Sequence, residues 1–175
     1  MLAAKRYARA LLEVAVESGR MESWGAELDL LARMTFELGA RSTLTTPDLP
    51  LQSRIKAMEV ISQQLGLSFP VRSFALVVAR RNRIAALPEV ALAYQRLVDE
   101  RLGRARAVLS FAMEPSAQEI EQVVKVLERV SGKTVLPTVK IEPALLGGLV
   151  AQLEGKTYDL SLANKLKQAE QLLGA

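Results

Sequence analysis

Apolar residues recur at helical spacing through the first hundred positions and then switch to alternation, so the chain reads as two unlike parts. Ala4, Tyr7, Ala8, Leu11, Leu12 and Ala15 fall at i, i+3, i+4 and i+7, one stripe of a helix that Ser18-Gly19 ends. A second helix spans Met21 to Leu38, with Leu28, Leu31, Ala32 and Thr35 on one face. Gly39 to Pro50 breaks the pattern with Gly, Thr, Asp and two prolines and reads as a connection. The helix from Leu51 to Leu65 turns Ile55, Met58 and either Val60 or Ile61 inward; Gly66 closes it and Phe69-Pro70 opens the next. That next helix, Val71 to Arg81, is apolar nearly all round, which predicts burial on several sides. Either it is central to its bundle, or one face awaits a partner. The last helix of this half, Pro88 to Leu102, carries Leu87, Val90, Ala91, Tyr94, Leu97 and Val98 in helical register until Gly103 stops it.

Beyond Arg104 the period becomes two. Ala107, Leu109, Phe111 and Met113 alternate with Val108, Ser110 and Ala112, as in a strand. Ser116 and Glu119 form a capping box ahead of a helix with Ile120, Val123, Val124, Leu127 and Val130 on one face, and Ser131-Gly132 ends it. Thr134 to Ile141 is a second strand with Val135, Val139 and Ile141 on one side. Pro137 has no N–H for a ladder and predicts an edge or a bulge. Leu149 to Leu153 is a third strand, Glu154-Gly155 turns towards Thr157-Tyr158-Asp159, and a terminal helix covers Ser161 to Leu173. The fold class is α+β: an N-terminal six-helix bundle (residues 1–105, counting a short helix contributed by the connection after Leu38), then a small C-terminal α/β domain with a short sheet (residues 106–175).

Composition narrows the chemistry. Half of the 175 residues are apolar, 24% are charged and only 5% aromatic, ordinary globular usage built on Ala, Leu and Val. Without cysteine there are no disulfides or thiolate sites, and without histidine no Ser–His or Cys–His nucleophile. No apolar run approaches the roughly 20 residues that span a bilayer, and the N-terminus lacks the charged-then-apolar order of a secretory signal. The expectation is a soluble, cytoplasmic protein. The net charge of +4 sits in residues 1–105, with 15 Lys/Arg against 11 Asp/Glu, while residues 106–175 carry 8 of each.

Three features invite a functional reading. Gly147-Gly148 precedes an apolar run, but a phosphate loop needs a G-x-x-x-x-G-K-[ST] frame opening a helix, and a strand-like run follows instead. Gly132-Lys133-Thr134 holds the tail of that motif and ends a helix. Both therefore read as structural turns, with Gly147 and Gly148 supplying positive φ or close backbone approach. Arg80-Arg81-Asn82-Arg83 and Arg101, Arg104 and Arg106 suit phosphate or an acidic protein partner; no aromatic stacking platform lies beside them in sequence. The carboxylates Asp99-Glu100 and Glu119/Glu121 lack the context of an acid–base or metal site. Asp159 reads as a turn residue or cap, and Trp24 as packed in or against the bundle. The first-helix stripe is either core or one wall of a groove for another amphipathic helix.

Several segments taken together resemble the delta subunit of F-type ATP synthase, whose mitochondrial member is the oligomycin-sensitivity-conferring protein. Arg6-Tyr7-Ala8-Arg9-Ala10-Leu11 resembles the family's R-Y-A-x-A-L opening. Asn82 and Arg83, then Leu87-Pro88-Glu89-Val90 with Tyr94 and Leu97, are similar to its N-x-R…L-P-E-I…Y…L run. Gly132-Lys133 and Glu142-Pro143-Ala144-Leu145-Leu146-Gly147-Gly148 resemble its G-K…V-D-P-S-L-I-G-G signature, and Gly155 to Ser161 its G-D-K-V-I-D-G-S turn. Leu160 stands where the family has glycine; Glu142 and Ala144 stand for its Asp and Ser.

The resemblance implies a non-catalytic stator subunit that links the catalytic head to the peripheral stalk, so that rotation is coupled to ATP synthesis. It implies no cofactor, metal or nucleic acid, no direct membrane insertion, and one copy per complex at the cytoplasmic face of the bacterial plasma membrane, monomeric alone. The helical bundle is expected to bind alpha-subunit N-terminal helices between its first and fifth helices, through Tyr7, Ala8, Leu11, Phe74, Ala75 and Val78. The C-terminal domain is expected to engage the stalk b subunits. Asn82, Arg83, Pro88, Pro143, Gly147, Gly148, Asp159 and Ser161 carry the structural motif. The alternatives are a basic helical nucleic-acid-binding protein and, on the glycines alone, a nucleotide-binding enzyme.

Overall fold

In a computed structural model of the chain, residues 2–37, 44, 46, 49–145 and 147–159 are described. They divide into two units, Met1–Val98 and Asp99–Ala175. The architecture is α+β, with six α-helices and four strands among the described residues. The expected terminal helix from Ser161, and most of the connection after Leu38, lie outside them.

The first unit holds α1 (Leu2–Glu17), α2 (Met21–Glu37), α3 (Leu51–Gln64), α4 (Phe69–Arg80), a 3-10 turn (Ile84–Ala86) and most of α5 (Leu87–Arg101). The α1–α2 and α3–α4 reversals share one construction. Gly19 and Gly66 take φ near +66° and +61°, and the next amide donates back across the turn, Arg20 to the Ala15 carbonyl and Leu67 to the Ser62 carbonyl. Alanines at 4, 8 and 15 of α1 and at 75 and 79 of α4 are buried, as are Trp24, Leu28, Leu31, Met58, Val71, Val90 and Tyr94. Each fully buried large aliphatic side chain contributes about 1.5–3 kcal/mol.

On α3 the inward stripe is Arg54, Met58 and Ser62, while Val60 is 45% exposed and Ile55 and Ile61 only half-buried. Hydropathy misplaces this face because two of its members serve the backbone. Arg54 donates from Nε to the Leu44 carbonyl at 2.9 Å and from Nη2 to the Thr46 and Leu49 carbonyls at 3.2 and 3.3 Å. The Ser62 hydroxyl donates to the Met58 carbonyl at 2.7 Å.

Tyr94 donates its hydroxyl to the Met21 carbonyl at 3.0 Å, tying α5 to the start of α2. Burial pushes its pKa up to about 12, because the phenolate would lose its water. A folded-state pKa above the unfolded value of 10.0 stabilises the fold fully below pH 10. That contribution is lost as pH rises towards 12, because the unfolded chain ionises first. Urea unfolding followed by circular dichroism should show a midpoint that falls across this window, and falls less steeply in Tyr94→Phe.

The second unit contains β1 (Arg104–Phe111), α6 (Ala117–Ser131), β2 (Thr134–Ile141), β3 (Leu149–Leu153) and β4 (Lys156–Asp159). The sheet order is β2-β1-β3-β4, with β1 parallel to β2 and the other pairs antiparallel. Pro137 lies on the edge strand, as its missing N–H requires, opposite Ala107. Ala105, Ala107, Leu109 and Phe111 share one face with Val135, Ala151 and Leu153, and Leu127 of α6 packs on them, with Ile120, Val123 and Val124 at its margin.

β1 starts at Arg104 and ends at Phe111, earlier than the alternation from Ala107 to Met113 suggests. The ladder opens immediately after Gly103, whose carbonyl accepts from the Thr134 amide at 3.0 Å, and Met113 is 75% exposed beyond it. Arg106 forks onto Asp99 at 2.5 and 3.2 Å, which holds the start of β1 against the last turn of α5. The capping box is present: Ser116 Oγ accepts from the Glu119 amide at 3.2 Å and Glu119 accepts from the Ser116 amide at 2.8 Å. The Ser116 amide, and then its hydroxyl, donate to the Glu119 carboxylate and hold it below its ordinary range. Val130, expected on the packed face of α6, is 59% exposed because the helix outruns its cover beyond Leu127.

Candidate docking groove

α1 and α4 meet where the Tyr7 and Phe74 rings pack edge to face, centroids 5.9 Å apart and planes at 74°. Beside that contact runs an open groove of about 710 Å³. Ala3, Tyr7 and Ala10 form one wall and Val77 the other; Arg6, Arg81 and Arg83 complete the lining.

The six residues expected to form the partner surface divide between two places. Tyr7 and Phe74 are half-buried at the groove. Ala8, Leu11, Ala75 and Val78 are 0%, 7%, 0% and 1% exposed and belong to the bundle core. The cause is geometric. Residues 4, 8, 11 and 15 of α1 form the inward stripe, and residues 3, 7, 10 and 14 form a second stripe one position, or about 100°, away. Periodicity finds the first stripe by its hydrophobicity. The second has Ala3, Tyr7, Ala10 and the half-exposed Val14, an apolar line that a single-face reading passes over. The same offset separates the buried Val78 from Val77, which is 43% exposed.

Asn82 explains how the two arginines reach the groove. It adopts φ +52°, the left-handed conformation that asparagine tolerates better than most side chains. Its amide donates to the Ala79 carbonyl at 3.1 Å and the Arg83 amide to the Val78 carbonyl at 2.9 Å, so the chain folds back at the end of α4. Arg81 and Arg83, on either side of the reversal, then line the same groove. Pro88, the second residue of α5, borders a shallow hollow with Thr35, Phe36, Ile84 and Ala85.

The glycine pair sits in the β2–β3 connection, with φ +148° at Gly147 and +82° at Gly148. The Gly148 carbonyl accepts from the Ala112 amide at 3.4 Å, and the Phe111 carbonyl from the Glu142 amide at 2.8 Å, so the connection passes over the end of β1. Pro143 is exposed in its turn. β3 follows Gly148 directly and, among the described residues, no helix begins at the loop, so the geometry is that of a crossing, not of a phosphate cradle. Gly132, in the left-handed conformation, ends α6 and leads into β2. Asp159 is the last residue of β4, opposite Val150, where a turn or cap is the expectation; Ser161 lies outside the described residues. Among the described residues no cluster of metal-ligating side chains forms, and no helix is long and apolar enough to cross a membrane.

The chain thus carries a helical unit with an open groove and a second unit built on a four-stranded sheet. The chain matches the ATP synthase delta (OSCP) subunit family over residues 3–173 and belongs to that family. Its members are structural stator subunits of the synthase, not catalytic ones. Among its relatives are the ATP synthase subunit delta of Anaeromyxobacter dehalogenans, 34% identical over 171 residues (97% of this chain, 96% of the relative), and that of Geobacter sp. strain M21, 31% identical over 171 residues (97% and 95%). A chain in the cryo-EM structure of the Toxoplasma gondii mitochondrial ATP synthase hexamer shares the fold, with a TM-score of 0.69 at 15% identity, covering 98% of this chain and 97% of that one. The relatives lend no support to the nucleic-acid reading.

Proposed function

We propose that this chain joins the catalytic head of a rotary ATP synthase to its peripheral stalk at the cytoplasmic face of a bacterial membrane. Residues 1–105 form a six-helix bundle that takes the N-terminal helix of an alpha subunit. Residues 106–175 engage the ends of the stalk b subunits, where Val126, Val130, Val139 and Ile141 offer exposed apolar surface. The chain is a monomer alone and present in one copy per synthase. The observation that carries this reading is the open groove between α1 and α4, walled by Tyr7, Ala10 and Val77, an apolar surface of the kind an amphipathic helix covers. A connector under torque has to dissociate slowly, so nanomolar binding, about −12 kcal/mol, is the working scale.

The test is calorimetric titration of the full chain with an alpha-subunit N-terminal peptide. Tyr7→Asp and Val77→Asp place a charge on the groove wall without entering the core, and each should weaken binding at least about tenfold while circular dichroism stays unchanged. Unaltered affinity in both folded variants would remove the groove as the alpha-subunit site.

A further inference from the structure

We infer that the groove selects its occupant by charge as well as by shape: it takes an amphipathic helix whose end over Arg6, Arg81 and Arg83 carries carboxylates. This rests on reading the groove as a helix site. The three arginines come from the first turns of α1, the C-cap of α4 and the residue after Asn82, and they line a groove whose other residues, Ala3, Tyr7, Ala10 and Val77, are largely apolar. All three residues are exposed, and no acidic side chain lines the groove.

Three other arginines of this unit are engaged, whereas Arg9, Arg20, Arg80 and Arg96 have no side-chain partner among the described residues but do not line the groove. Arg33 pairs with Asp29 at 2.5 Å, Arg72 with Glu59 at 3.0 Å, and Arg54 binds three carbonyls. Arg6, Arg81 and Arg83 make no side-chain hydrogen bond or ion pair among the described residues. Capping of α4 does not require them either, because the carbonyls of Val77, Val78 and Ala79 already accept from the backbone amides of Arg81, Arg83 and Asn82. Three uncommitted cations at the rim of an apolar trough match a partner that supplies both an apolar stripe and negative charge.

The stretch of α1 beyond the groove lining sharpens the match. The α1 stripe runs on through the half-exposed Val14 towards Glu17, with Glu13 beside it, so α1 is cationic where it begins and acidic where it ends. An occupant with carboxylates at one end and none at the other is therefore held in one direction. The apolar lining of Ala3, Ala10 and Val77 favours a helix over a phosphate chain, and the Tyr7 ring is already taken up by Phe74. Partly exposed pairs of this kind are weak singly, and three together set a preference of about tenfold in affinity that salt screens.

The probes are four synthetic amphipathic peptides of about four turns with one shared Leu/Ala face. They carry Glu at the N-terminal end, Glu at the C-terminal end, Gln at both, or Lys at both. Each is titrated calorimetrically into the full chain at about 50 and about 500 mM NaCl, and into the Arg6→Gln/Arg81→Gln/Arg83→Gln variant. One acidic peptide should bind about tenfold tighter than the Gln peptide at low salt. The advantage should shrink at high salt and vanish in the triple variant, whose circular dichroism should match the parent. Equal affinity for the acidic and Gln peptides, or an advantage that survives in the triple variant, overturns the charge selection and leaves the groove standing. No binding of any peptide overturns the helix site itself, and a single-stranded oligonucleotide binding tighter than every peptide replaces it with a nucleic-acid surface.

Discussion

Replacing Val78 by aspartate is expected to unfold the helical unit, not merely to weaken a surface contact. Val78 is 1% exposed on α4, on the same face as the fully buried Ala75 and next to Ala79. A carboxylate there has neither water nor a partner cation, and the effective cost of an unpaired buried charge is several kcal/mol. A domain of this size has a total stability of about 5–15 kcal/mol, so that cost removes most of the margin. Helical circular dichroism should be largely lost at neutral pH and partly regained at low pH, where the carboxyl is neutral. Val77→Asp, one position along and 43% exposed, should keep a native melt. If the two variants melt alike, the assignment of Val78 to the core is wrong.

The second large effect is at Arg54. Its guanidinium is 5% exposed and bonded to the carbonyls of Leu44, Thr46 and Leu49, so it ties the segment before α3 to the helix itself. Arg54→Ala removes three charge-assisted bonds, a loss of about 2–4 kcal/mol, although the Thr46 carbonyl still accepts from the Leu49 amide. Arg54→Lys should recover little, because a single ammonium cannot reach three diverging carbonyls as the planar fork does. Chemical denaturation measures both. A midpoint for Arg54→Ala within error of the parent would mean that these bonds form equally well with water.

The family resemblance was carried by scattered short motifs, and the structure accounts for several of them physically. Asn82 supplies the left-handed residue that ends α4, and Arg83 follows it into the groove. Gly147 and Gly148 supply the positive φ values that carry the chain over the end of β1. Such backbone demands act on one or two residues at a time, which is why they are visible in a sequence without any knowledge of packing.

The candidate groove was legible only in part, and Val77 and Val78 show why. Both are valines on one apolar helix, and no hydropathy pattern separates the residue facing the core from the one facing the groove. Arg54 shows the converse, a charged residue that periodicity assigns to the surface and that three backbone carbonyls draw inside. By itself the sequence determined the helical and alternating periods, the capping box before α6 and the turns at the glycines, because each depends on neighbours a few residues away. Only the tertiary structure decided which of two adjacent stripes on α1 and α4 became core and which was left open, and that Arg6, Arg81 and Arg83 share one rim. Those outcomes depend on which helices lie against which, and that is settled by burial summed over the whole bundle.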